Sequence, residues 1–219
     1  MSNRVFRSAL LLLGLNFIAA AQPSYDLLIK GGHVIDPKNN LDRVMDVAVK
    51  EGKIARVAAS IPPSESKQVI EARGLYVTPG LVDMHAHVFA GGEGIGTAFA
   101  GGPFGIPPDG MSFRSGVTTV VDAGSSGWRN FAEFKRRIID RDTNYQKVRV
   151  LAMLNIVGHG MGGGQVEQNS SDMDSEATAR VAREHSDLIV GVKVAHYVAA
   201  NWIAVDRAVK AGELANIPV

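Results

Sequence analysis

The sequence predicts an α/β chain in which a short β-rich segment precedes the first half of a parallel (β/α)8 barrel. Three observations predict it. Between residues 25 and 72, short apolar stretches follow one another too closely for helices to fit between them. From Leu75 onward, apolar strand-like segments alternate with amphipathic helix-like ones. Residues 215–219 then begin a further strand. Closely spaced strands favour a sandwich, whereas strand and helix in alternation favour parallel βαβ units.

The first residues read as an export signal. Arg4 and Arg7 make a positive head, residues 9–17 form a short apolar run, and Ala19-Ala20-Ala21 supplies small residues for cleavage before Gln22. The run is shorter than the roughly 20 apolar residues that a membrane span needs. We therefore expect residues 1–21 to be a signal peptide and the mature protein to be periplasmic or secreted, without stable membrane association. An uncleaved anchor is the rival reading. The chain has 219 residues, is 46% hydrophobic and 21% charged, and carries a net charge of +1. That balance gives no electrostatic reason to expect nucleic acid as a partner. There are no cysteines, which excludes disulfides, thiolate ligands, a cysteine nucleophile and a lipid-modified N-terminus.

Residues 22–75 read as the β-sandwich portion of a composite domain. Residues 26–30 predict a strand, Gly31-Gly32 a turn, and residues 33–35 its hairpin partner. Residues 44–49 and 53–58 repeat this around Glu51-Gly52, residues 68–72 form another short strand, and Pro62-Pro63 opens a surface loop. Residues 76–219 read as the first four strand–helix units of the barrel. The strands are expected at 80–84, 117–122, 148–157 and 188–194, with helices at 130–140, 174–184 and 202–211. An open sheet edge is a poor stopping point, so we expect the chain to be truncated at Val219.

The chemistry concentrates at Pro79-Gly80-Leu81-Val82-Asp83-Met84-His85-Ala86-His87. Alternate strand residues share a face, so His85 and His87 should project together and could hold a divalent ion at the mouth of a barrel strand. A surface pair or a core histidine is the bland alternative. Lys193, in Ile189-Val190-Gly191-Val192-Lys193-Val194, is the second candidate. A lysine within an apolar strand is costly unless paired or modified, and burial favours the neutral amine. A lysine whose head reaches solvent is the alternative there. Gly158-His159-Gly160-Met161-Gly162-Gly163-Gly164 follows the third strand, where backbone could approach a ligand and His159 could contact substrate. It lacks a phosphate-loop ending, so nucleotide binding is discounted. Asp122 could orient a ligand but suits a capping role better. Residues 89–110 are read as a lid or a plain connection, and His196 as an outer-shell or an exposed residue.

Together, Leu28-Ile29-Lys30-Gly31-Gly32, Asp46-Val47-Ala48-Val49, Gly52-Lys53-Ile54 and the segment from Val77 to His87 resemble the opening of the amidohydrolase superfamily. The dihydroorotase-like and amino-acid deacetylase-like branches resemble it most, over about residues 25–219. The resemblance implies a metal-dependent hydrolase of amide or cyclic amide C–N bonds, with two zinc ions activating water. It implies that Lys193 is carbamylated and bridges both metals, with His85 and His87 on one of them. It also implies two further histidines and a proton-shuttling aspartate on later strands, none of which lies in this chain. The expected partner is a small amide substrate, and self-association is left open. Two rival readings remain: a truncated, non-catalytic fragment that at most binds metal, and a mononuclear deaminase-like member that does not use Lys193.

Overall fold

The computed structural model describes residues 23–89, 105–140, 148–162 and 164–219. The export signal at 1–21 and residues 90–104 of the 89–110 segment lie outside the described residues. The chain divides into two compact units, Met1–Pro79 and Gly80–Val219. The boundary falls later than the change of pattern at Leu75, because Tyr76 and Val77 still pair with the first sheet.

The first unit is one mixed sheet of β1 (Tyr25–Asp36), β2 (Leu41–Lys50), β3 (Lys53–Ala58), β4 (Ser66–Glu71) and β5 (Tyr76–Val77). The order is β3-β2-β1-β4, with β5 also on β1. The neighbours β1–β2 and β2–β3 are antiparallel, while β4 and β5 run parallel to β1. The expected sandwich portion is thus represented by a single sheet. The expected hairpin at Gly31-Gly32 is not there. β1 runs straight through the two glycines, with a register shift between Ile29 and Gly32. Gly31 takes a φ of +70°, and a Cβ on Gly32 would lie 2.4 Å from a Val77 methyl. The glycines therefore make a bulge under close packing, not a reversal. The real reversal is Glu51-Gly52, where φ values of 51° and 70° suit a two-residue turn between β2 and β3.

One carboxylate ties this sheet to the chain beyond it. Asp46, buried on β2, accepts from Lys30 Nζ at 2.9 Å, Gly31 N at 2.7 Å and Ile61 N at 2.8 Å. Burial pushes its pKa up, but the Lys30 ammonium and the two amides outweigh that and hold it below the usual carboxylate value.

The second unit is a four-stranded parallel sheet of β6 (Leu81–Ala86), β7 (Val117–Gly127), β8 (Arg149–Asn155) and β9 (Ile189–Lys193), in that spatial order. All four strands coincide with those expected from the apolar segments. The connections carry α1 (Pro108–Ser112), α2 (Phe131–Phe134) and α3 (Ser175–Glu184), and α4 (Ile203–Ala215) follows β9. α2 runs on as a π turn, Lys135–Ile139, so the expected helix at 130–140 is only partly α. Its apolar spacing still works as expected: Phe131, Phe134 and Ile138 are buried with Val120, Val150 and Leu154. Asp174 caps α3 by accepting from Ala177 N at 2.9 Å. Past α4, Pro218 O accepts from Val192 N at 2.8 Å, so the last residues lie beside β9, where a fifth strand was expected. The sheet is open, and Leu81, Val82 and Met84 of β6 are exposed. No helix among the described residues is long and apolar enough to cross a membrane.

Candidate functional site

Parallel strands with sequential order deliver their C-terminal ends to one edge of the sheet, and that is where the candidate residues gather. On β6, Ala86 pairs with Asp122 and is buried, while His85 and His87 flank it. Their rings meet edge to face with centroids 5.4 Å apart. The shared face expected from alternation is therefore real. His85 is exposed, and its backbone amide is pinned by Asp83 Oδ1 at 3.0 Å.

His87 is half-buried, and its Nδ1 lies 3.0 Å from Ser125 Oγ. Burial lowers its pKa. The Asp122 charge opposes this, and the positive charges of His85, Lys193 and His196 reinforce it. The neutral ring favoured here is the form that ligates metal. The Ser125 hydroxyl, which can donate or accept, fixes the ring through Nδ1.

Asp122 is wholly buried. It accepts from Val88 N at 2.8 Å and Ser125 N at 2.7 Å, which locks the chain leaving His87 onto the end of β7. Burial raises its pKa against those hydrogen bonds and the His87 charge. The capping role expected for it is the one these two amides show.

Lys193 closes β9 and is half-buried, not enclosed as a lysine within an apolar strand suggested. Its stem lies over Gly124, where a Cβ would come within 2.6 Å of Lys193 Cγ. Asn155, opposite Lys193 on β8, supports this corner through Gly124 O at 3.0 Å and Val157 N at 3.0 Å. Gly124 needs its left-handed φ of +87° as well as its missing side chain.

The glycine-rich loop after β8 packs closely on the loop after β7. A Cβ on Gly160 would sit 2.3 Å from Ser125 O, and one on Gly127 2.0 Å from Val157 O. These glycines let the loops after β7 and β8 touch backbone to backbone. His159 is fixed through its main chain, by Asp172 Oδ2 at 3.2 Å and Asn130 Nδ2 at 2.9 Å, while its residue is exposed. Sequence reasoning missed Ser125, Asn155 and Glu167. The string Asp122-Ala123-Gly124-Ser125 at a strand end carried a signal for the first of these.

Chemically, two imidazoles on one strand end make half of a metal site. Among the described residues no three His, Cys, Asp or Glu side chains converge. An ammonium at Lys193 would repel a cation, whereas its carbamate would add anionic oxygens, so the donor set suits a divalent ion only with that modification.

No protein-family model matches the chain. A deacetylase of Agrobacterium fabrum is 31% identical over 188 residues, which cover 84% of this chain and 38% of that protein. The crystal structure of an adenine deaminase superposes with a TM-score of 0.70 at 28% identity, covering 88% of this chain and 48% of that one. That of a dihydroorotase gives a TM-score of 0.65 at 26% identity, covering 88% and 49%. The chain thus spans less than half the length of each of these three proteins.

Proposed function

Because this chain belongs to the amidohydrolase superfamily, we propose that the full-length protein is an exported, metal-dependent hydrolase of amide or cyclic amide C–N bonds. The observation that carries this reading is the facing His85–His87 pair at the end of β6, on the same sheet edge as Lys193. His85, His87 and a carbamate on Lys193 would be the residues of this chain that hold the zinc ions. The metals, when bound, supply a hydroxide-like water at neutral pH and polarise the substrate carbonyl.

The rest is done by the chain itself. Burial favours the neutral form of His87, and the Ser125 hydroxyl holds its ring through Nδ1. Asp122 holds Ser125 and Val88, so the ring cannot swing away from its strand. Gly124 leaves room for the Lys193 stem. Carbamylation joins the neutral amine to carbon dioxide through a new N–C bond and releases one proton. Residues outside this chain would complete the ligand set and move the proton to the leaving nitrogen. A mononuclear, deaminase-like site is the second reading, favoured by the likeness to adenine deaminase and by a Lys193 that is only half-buried.

The test uses full-length protein, acetylated amines and dihydroorotate. We expect C–N hydrolysis that is lost on chelation and regained with zinc, faster when bicarbonate is added. Full activity in metal-free protein would overturn the reading. One metal per chain with no bicarbonate effect would select the mononuclear form.

A further inference from the structure

Asp172 has no part in the proposed hydrolysis, yet it joins the two loops that back the candidate metal ligands. It closes the 3-10 turn Ser170–Asp172 between β8 and α3, and it is only 6% exposed. Its carboxylate takes one hydrogen bond from each loop. Oδ1 accepts from Arg129 Nε at 2.5 Å, after β7, and Oδ2 from His159 N at 3.2 Å, after β8. Its carbonyl repeats the pattern, accepting from Trp128 Nε1 at 3.2 Å and from Gly158 N at 3.0 Å. The Arg129 guanidinium also stacks on the Trp128 ring, 4.1 Å from its centroid. A Cβ on Gly158 would lie 2.8 Å from Asp172 Oδ1, so the joint admits no side chain there. From α4, Arg207 donates to Ser170 O and Met173 O, which anchors the turn itself.

What the joined loops carry gives the joint its use. Met161 N donates to Gly124 O at 3.0 Å, and Gly160 packs on Ser125 O. Ser125 Oγ is 3.0 Å from Nδ1 of His87, and Gly124 borders the stem of Lys193. A shift of the loop after β8 therefore reaches both candidate ligand residues through two contacts. Resting on the metal-site reading, we propose that Asp172 and Arg129 form a positioning clasp that sets metal affinity. The clasp orders the two loops before metal arrives, so binding need not order them. Both residues act through Gly124 and Ser125. By linkage, a metal that binds the clasped form more tightly must tighten the clasp in return.

Zinc titration of chelator-stripped full-length protein tests this without reading catalysis. Asp172→Ala and Arg129→Ala should each weaken zinc about tenfold, the scale of a residue supporting a ligand. The double variant should lose no more than Asp172→Ala alone, because the pair can be broken only once. Asp172→Asn keeps an oxygen for one of the two donors and should fall between. Asp174→Ala removes the α3 cap two residues further on. It should lower thermal stability yet leave zinc affinity unchanged. In the unaltered protein, zinc should slow amide hydrogen exchange at Arg129, Gly158 and His159, and this reading stands even if an alanine variant fails to fold. Unmoved affinity in the folded variants, additive losses, or exchange indifferent to zinc would overturn the clasp and leave the metal site standing. A parent that takes up no zinc would overturn both. The full pattern without any hydrolysis would count against the hydrolase reading alone.

Discussion

Asp46 and Asp122 are both buried aspartates that accept two backbone amides, one in each unit, yet their pKa values move in opposite directions. The difference is a cation. Asp46 has the Lys30 ammonium at 2.9 Å, and its charge is neutralised within the sheet it braces. At Asp122 burial dominates, and the coulombic partner that opposes it is the imidazole of His87, itself shifted toward its neutral form. The first arrangement is complete in itself and serves stability. The second leaves a carboxylate poorly compensated beside His87, the pattern that marks a functional site more often than a structural one.

Removing Asp46 should break this comparison most severely. Asp46→Ala strands the Lys30 charge and two amides, and should cost about 3 kcal/mol in urea unfolding. Its pH dependence has a definite sign. A carboxylate whose folded pKa lies below its unfolded value adds stability above the unfolded value, near 4, and loses it as pH falls through the folded one. The wild type should therefore weaken below about pH 4, and Asp46→Asn should flatten that part of the profile. A variant as acid-sensitive as the wild type would show that Asp46 is not the group responsible.

Asp122→Ala should cost less, about 2 kcal/mol, since it frees the Val88 and Ser125 amides but strands no ammonium. It should also release the segment after His87, so metal retention should fall by more than stability does. Asp122→Asn keeps one acceptor oxygen and should show roughly half the loss. If both variants retain metal like the wild type, Asp122 is a cap and nothing more. At the small end, Lys67→Ala removes the exposed pair with Asp26 and should leave the melting temperature unchanged, because solvent screens that pair.

Much of this was legible in advance, for physical reasons. β6 to β9 are apolar runs bounded by turn residues, and burial in a parallel sheet writes itself into sequence as such runs. His85 and His87 were legible because strand period two is local. The bulge in β1 was not, since Gly31-Gly32 also signals a turn, and only the approach of Val77 decides between them. Ser125, Asn155 and Glu167 act through partners that are distant in sequence, such as His196 for Glu167. No local pattern announces those pairings. The glycines after β8 carry no local mark of the backbone they pack on, because chain and ligand demand the same absent Cβ.

The contrast between the two units rests on the claim that the second one builds a metal site. Elemental analysis of the full-length protein, purified beside its His87→Ala and Lys193→Ala variants, tests that most directly. We expect two zinc ions per chain in the parent, and loss of one or both in each variant while the fold persists by circular dichroism. Undiminished zinc in His87→Ala, or a parent that takes up no divalent metal at all, would contradict the account.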